Sequence, residues 1–188
     1  MCHALLQDPN FFRLLLRVDQ ELASQAKAVG CSCGGVLHRA NYPRKPRACP
    51  AEVRADFETR LSFCCHRCRR RSTSMSVRFL GRRVYLALAV VLVSARHAGQ
   101  TPAAARLSGS LDISIRTLER WRRWWRDDFR QTPLWQASGA RFMPPVATEH
   151  CPASLLERFA GNAEAMLMRL LVFLSPLTVT PINLREGR

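Results

Sequence analysis

Behind Asp8, apolar residues return at helical spacing: Phe12, Leu15, Leu16, Leu22 and Ala26, with polar and charged residues between them. That period predicts an amphipathic helix of about five turns. Asp8 suits its N-cap, Pro9 its first turn, and Gly30 its end. It reads as a packing helix with no chemistry of its own. After Gly30 the helical period stops. "CSCGGVLHRANYPRKPRACP" mixes prolines and glycines with short apolar stretches, while "RLSFCC" and "SMSVRFLG" read as two short strands around a cysteine turn. From Val84 the pattern is helical again. Residues 84–97 form one apolar helix, residues 102–108 ("PAAARLS") a second, and Ser114 to about Phe129 a third with Ser114 as N-cap. "RQTPLWQASGARFMPPV" reads as a partly ordered connection in which Pro133, Pro144 and Pro145 interrupt any helix. Pro152–Ala160 and Ala163–Leu174 make a final helical pair, and the segment from Ser175 reads as a loose tail.

These elements predict an α+β chain that is mostly α: a small zinc-ribbon-like β unit followed by a helix-turn-helix domain. The expected divisions are an N-terminal helix at 1–30, the β unit at 31–83, the helix-turn-helix at 84–135, and a connection with a helical pair at 136–188. The chain of 188 residues is 47% hydrophobic, enough for a core. Its longest apolar run, Val84 to Val93, is half the ~20 residues that a membrane span needs. The N-terminal stretch has no secretory pattern, because Asp8 and Arg13 interrupt its apolar residues. The expectation is a cytoplasmic, nucleoid-associated protein with no membrane partner.

Charge changes the picture. Lys and Arg together number 29 against 14 Asp and Glu, for a net charge of +15. A GC-rich genome explains Arg in place of Lys but not the excess of bases over acids. An excess of this size points to a polyanion, with nucleic acid ahead of an acidic membrane surface.

Eight cysteines are many for this length. Without export, clustered cysteines favour metal over disulfides. Cys65-His66-Arg67-Cys68 is a C-x-x-C turn that can face two thiolates to one ion. Cys31-Ser32-Cys33 is the other half. Gly34-Gly35 after it let the chain fold back and aim backbone N–H groups at the sulfurs. Its spacing is C-x-C, with Gly30 where the commoner spacing would place a cysteine. Cys31, Cys33, Cys65 and Cys68 are therefore the expected ligands of one structural Zn2+. Cys64 is a strand residue in this reading, although a C-x-x-x-C pairing would let it replace Cys65. Cys49 and His38 are reserve ligands, His66 faces solvent, and Cys2 and Cys151 stand unpaired. Four cysteines close the coordination sphere, which excludes a catalytic zinc.

Arginines follow the second turn: Arg69, Arg70 and Arg71, then Arg78, Arg82 and Arg83. Their guanidinium groups match phosphate oxygens. "NYPRKPR", from Asn41 to Arg47, is a second basic segment with an extended bias from its prolines. The third helix adds a reader. At 100° per residue, Ile115, Leu118, Trp121, Trp125 and Phe129 fall within an arc of about 120° that is the buried face. Arg116, Arg120 and Arg123 cluster within about 60° on the opposite side, flanked by Thr117 and Trp124. Arginines early on such a face suit the major groove of duplex DNA. Trp121 and Trp125 read as core, and Trp124 as exposed enough to stack on sugar or base.

"GCSCGGVLHRANYPRKPR", "SFCCHRCRRRSTSMSVRFLGRRVYL", "RTLERWRRWWRDDF" and "ARFMPPV", in that order, resemble a group of short bacterial mobile-element-associated proteins. They resemble the zinc-ribbon plus helix-turn-helix DNA-binding part of transposases. The resemblance covers roughly residues 8–175. It implies binding to double-stranded DNA and carries no catalytic residue with it. A transposase core needs three carboxylates on a sheet to hold two metal ions. The helical segment after the third helix offers no strand context for its acids. The expectation is a non-enzyme, an accessory to transposition, with a transcriptional regulator of the same architecture or a partner-binding structural protein as alternatives. Met166, Leu167, Leu170, Leu171 and Leu174 form either the lid of the core or a seam for self-association or for a transposase or other partner; the lid is preferred.

Overall fold

The computed structural model describes residues 2–80, 87–96, 109 and 113–179. Residues 102–108, proposed as the first helix of the helix-turn-helix, lie outside them, as do 110–112 of its turn, Arg82, Arg83 and the tail from 180. The described residues are mostly helical with a small antiparallel sheet. No described helix is long and apolar enough to cross a membrane.

The first helix, α1, runs Pro9–Val29. Asp8 caps it by accepting from the Asn10 N–H at 2.9 Å, and Pro9 occupies the first helical position. Gly30 ends it at φ +78°, where its N–H donates to the Lys27 carbonyl. Only a residue without Cβ takes that conformation cheaply. Two short strands follow, β1 (Leu37–Arg39) and β2 (Tyr42–Pro43), and after a short helix α2 (Arg54–Phe57) come β3 (Thr59–Arg60), β4 (Ser62–Cys65) and β5 (Arg71–Thr73). β1, β4 and β5 form one antiparallel sheet in that order, with Leu37 opposite Cys65 and Cys64 opposite Arg71. β2 pairs with β3.

The strand expected over "SMSVRFLG" is displaced. Pairing with β4 is already used by Arg71–Thr73 directly after the cysteine turn, and residues 74–80 turn inward instead. They are held there by Asp19. This carboxylate is fully buried on α1 and accepts from the Val77 N–H at 2.6 Å, the Ser76 hydroxyl at 2.6 Å and Arg78 Nε at 2.8 Å. Arg78 is buried to the same extent. It donates to the Asp56 carbonyl at 2.6 Å and lies between the Phe57 and Phe79 rings. Arg78 is therefore a structural ion-pair partner and not a phosphate contact.

The second half is helical: α3 (Ala87–Arg96), α4 (Ile115–Arg123), α5 (Pro133–Ser138), α6 (Ala153–Leu156) and α7 (Ala163–Leu174). Ser114 caps α4 by accepting from the Thr117 N–H, as its sequence position predicts. Pro133 does not interrupt a helix. It starts α5, with Thr132 capping. α7 buries Leu167, Leu170, Leu171 and Leu174, so the apolar stripe of this helix is a core lid. The segment from Ser175 is not loose as far as it is described. It makes a 3-10 turn whose Ser175 and Leu177 are buried, and Thr178 accepts from the Ser76 N–H at 3.0 Å.

α1 serves two cores. Phe11, Phe12 and Leu15 join the large core with Val53, Phe57, α3, α4 and α7, while Ala23 packs with Leu37, Phe63 and Cys65 beneath the three-stranded sheet. Replacing Asp19 with Ala leaves the Arg78 guanidinium buried without its counter-charge, which costs about 3–5 kcal/mol. Urea denaturation of Asp19→Ala against the parent chain is expected to show that loss as a lower midpoint at little change in slope.

Candidate metal centre and basic surface

Two chain reversals bring four cysteines together. The first leaves α1 at Gly30, places Cys31 and Cys33, and closes with the Gly34 N–H donating to the Cys31 carbonyl at 2.8 Å. The second leaves β4 at Cys65 and returns through Cys68. It closes with the Arg69 N–H on the Cys65 carbonyl and the Cys65 N–H on the Arg70 carbonyl. Arg69 holds φ +59° to make that return. His66 ties the two turns: its N–H donates to the Val36 carbonyl, and its Nδ1 accepts from the Val36 N–H at 2.9 Å. The ring is thus a brace and not a ligand.

The sulfurs of Cys31, Cys33, Cys65 and Cys68 all lie within 4.8 Å of one another. The Cys31–Cys68, Cys31–Cys33 and Cys33–Cys65 separations are each 3.5 Å. A tetrahedron of sulfurs around an ion at ~2.3 Å has edges of ~3.8 Å. The cluster is thus the right size to hold one metal ion, and it is the only such group of His, Cys, Asp and Glu among the described residues. The C-x-C spacing does not prevent convergence. Cys64 stays outside: its sulfur points to the Arg69 and Cys65 carbonyls, which settles the choice between Cys64 and Cys65 in favour of Cys65. Cys49 is buried in the large core, away from the cluster, and His38 lies edge-on to the His66 ring.

The thiols are electrostatically unequal. Backbone N–H groups of Cys68 and Arg67 converge on Cys65, oppose its burial, and bring it down to about 6. The Gly35 N–H lowers Cys33 too, but the adjoining sulfurs of Cys65, Cys68 and Cys31 outweigh it and push this thiol up to about 12. One sulfur therefore ionises readily and keeps its neighbour protonated. A divalent cation removes that conflict and displaces the remaining protons.

Gly35 is the tightest constraint in the cradle. A Cβ there would meet Cys65 Sγ at 2.5 Å and Arg67 Cβ at 2.9 Å, whereas a Cβ on Gly34 would meet nothing within 4 Å.

The predicted DNA contacts fall in two places. Arg69, Arg70 and Arg71 are exposed beside the cysteine turn. Arg71 is partly fixed, donating to the Ala40 carbonyl at 2.6 Å with its guanidinium over the Tyr42 ring. On α4, Arg116 and Arg123 are exposed, while Thr117 and Arg120 are half-buried; the Thr117 hydroxyl bonds to Ser114. Leu118, Trp121, Trp125 and Phe129 are buried as the helical wheel requires, but Ile115 is exposed. Trp124 is only 4% exposed and packs on Trp125 and Phe129, so it is no stacking platform. Residues Trp124–Asp128 form a π-helical turn. The wider turn shifts the angular register, and both neighbouring tryptophans enter the core.

Compared with protein-family models, curated proteins and solved structures, the chain matches none.

Gly35→Ala is expected to weaken metal affinity by at least ~10–100-fold, the range that second-sphere changes produce. Gly34→Ala, strained only by its positive φ, is expected to cost about 1 kcal/mol of stability and leave metal affinity nearly unchanged. Competition against a chromophoric chelator distinguishes the two variants.

Proposed function

We propose that the chain is a double-stranded-DNA-binding protein whose four-cysteine centre holds one structural zinc ion. The observation that carries the proposal is the convergence of four sulfurs at near-tetrahedral separations, beside exposed Arg67, Arg69, Arg70 and Arg71. Zinc is the fitting metal because the site offers thiolates alone and leaves no carboxylate or imidazole for a harder ion. When bound, it fixes the two turns relative to each other and neutralises the clustered thiolates. This chain's own residues then do the binding. Arg69, Arg70 and Arg71 meet phosphates. α4 offers Arg116 and Arg123 at its solvent side, with Arg120 and Thr117 between them, as a reader for the major groove.

Four sulfur ligands leave no open position for water, which supports a role without catalysis. The proposed setting is transposition, as an accessory that recognises DNA for a catalytic partner. It rests on the resemblance to the DNA-binding part of transposases.

Purified, reduced protein is expected to hold one zinc per chain by mass spectrometry and to lose duplex binding on chelation. Arg70→Ala is expected to weaken binding to all duplexes alike and to lower the salt slope by about one. Arg116→Ala is expected to cost ~1–3 kcal/mol of discrimination at one base position. Fluorescence anisotropy with specific and random duplexes over a salt series measures both. Unchanged binding in both variants would remove the DNA assignment while leaving the metal centre intact.

A further inference from the structure

A second cluster of polar groups lies away from the cysteines, around Arg60. This residue is 1% exposed. Its Nη2 donates to the Ser74 carbonyl and reaches Thr178 Oγ1 at 3.4 Å, but its Nη1 has no hydrogen-bond partner. The Ser74 hydroxyl, on the residue whose carbonyl Arg60 holds, is buried and equally unpartnered. Arg44 supplies a third orphan donor, its buried Nε. The ladder explains why Arg44 is near: Tyr42 stands opposite Arg60 across β2 and β3, and the Arg44 guanidinium lies 5.3 Å from both the Tyr42 and Phe79 rings. Phe79 also carries Arg78, so two guanidinium groups share this one ring.

The charges do not balance. Asp19 is the buried carboxylate of this region, and its oxygens already accept from Ser76, Val77 and Arg78. Neither Arg60 nor Arg44 has a carboxylate within salt-bridge distance among the described residues. Burial holds the Arg60 guanidinium below its ordinary pKa. Asp19 and Tyr42 oppose that effect, and Arg44 and Arg78 add to it. A buried cation with an unused N–H, next to a second cation and a free hydroxyl, is costly unless a counter-charge sits among them.

We propose that Arg60 Nη1, Arg44 Nε and the Ser74 hydroxyl bind one small inorganic anion of the size of chloride or phosphate. The two guanidinium groups can only donate and the hydroxyl can turn its O–H to join them, which selects an anion over a cation. The burial of Arg60 excludes a phosphate that is part of a DNA strand. The half-buried Arg44 is the side of entry. The site uses none of the cysteines and none of the DNA-contact arginines, so it stands or falls apart from the proposed function.

The test is thermal unfolding of the metal-loaded full chain, with sodium gluconate replaced stepwise by sodium chloride or, separately, sodium phosphate at fixed ionic strength. The melting temperature is expected to rise and saturate in at least one series. At ten times the dissociation constant the rise is roughly 3–6 °C for a chain of this size. The series with the lower half-saturation names the anion. Arg60→Met keeps volume and removes the charge. It is expected to melt no lower than the parent in gluconate and to lose the anion response. Ser74→Ala removes one donor from the same place and is expected to move half-saturation upward about tenfold, as a lost ~1.4 kcal/mol contact would. It serves alone if Arg60→Met does not fold. A parent melting temperature that follows ionic strength and not anion identity overturns the proposal, as does an undiminished response in the variants that fold.

Discussion

The Asp19 carboxylate is the point through which distant parts of the chain are held. It lies on α1, but its partners are Ser76, Val77 and Arg78, more than fifty residues on. Arg78 carries the connection to the Asp56 and Thr59 carbonyls around α2, and Ser76 carries it to Thr178 beyond α7. A buried carboxylate with one cation and two further donors is fully satisfied; with any of them missing it is a liability. That asymmetry makes the network a device for specificity. It holds residues 74–80 in the interior, away from the sheet edge at β5. Everything that follows β5 leaves from that anchor.

The four-cysteine cluster depends on the same helix from its other end. α1 brings its small residues, Ala23 and Ala26, against the underside of the sheet, so Leu37, Phe63 and Cys65 can lie close to it. Gly30 then turns the chain so that Cys31 faces Cys68. This geometry accounts for the C-x-C spacing. The first turn does not begin from a strand but from a helix end, where Gly30 at φ +78° already supplies part of the reversal. One residue fewer than in C-x-x-C is enough when the helix has fixed the direction of approach. The small sheet has little core of its own, and the helix and the sulfurs together supply what it lacks.

The parts legible in the sequence were those governed by local chemistry. The limits of α1 follow from Asp8, Pro9 and Gly30, the start of α4 from Ser114, and the convergence of Cys31, Cys33, Cys65 and Cys68 from cysteine spacing and glycines. The parts not legible were those set by long-range pairing. Nothing local marks Asp19 as buried, since a lone acid in an amphipathic helix reads as surface. Nothing local separates Arg78 from Arg70. Periodicity also fails where the backbone leaves its ideal period. The wheel that places Trp121 correctly misplaces Trp124, because the π turn inserts extra width after Arg123. The strand expected over residues 74–80 lost to Arg71–Thr73, which lies closer to the turn and takes the pairing with β4.

These placements alter what the net charge means. Read along the chain, Arg69, Arg70, Arg71 and Arg78 belong to one basic run, and all of them invite the same phosphate. In the fold they divide by depth. Arg67, Arg69, Arg70 and Arg71 reach solvent, whereas Arg60 and Arg78 are buried within the protein. The buried pair adds to the formal charge but presents no guanidinium that a duplex could touch. Arg78 is answered by Asp19; Arg60 has hydrogen-bond acceptors but no carboxylate. An electrostatic case for DNA must therefore be argued from the exposed set alone. The interior set poses a separate question of charge balance, and a basic protein can carry both without one explaining the other.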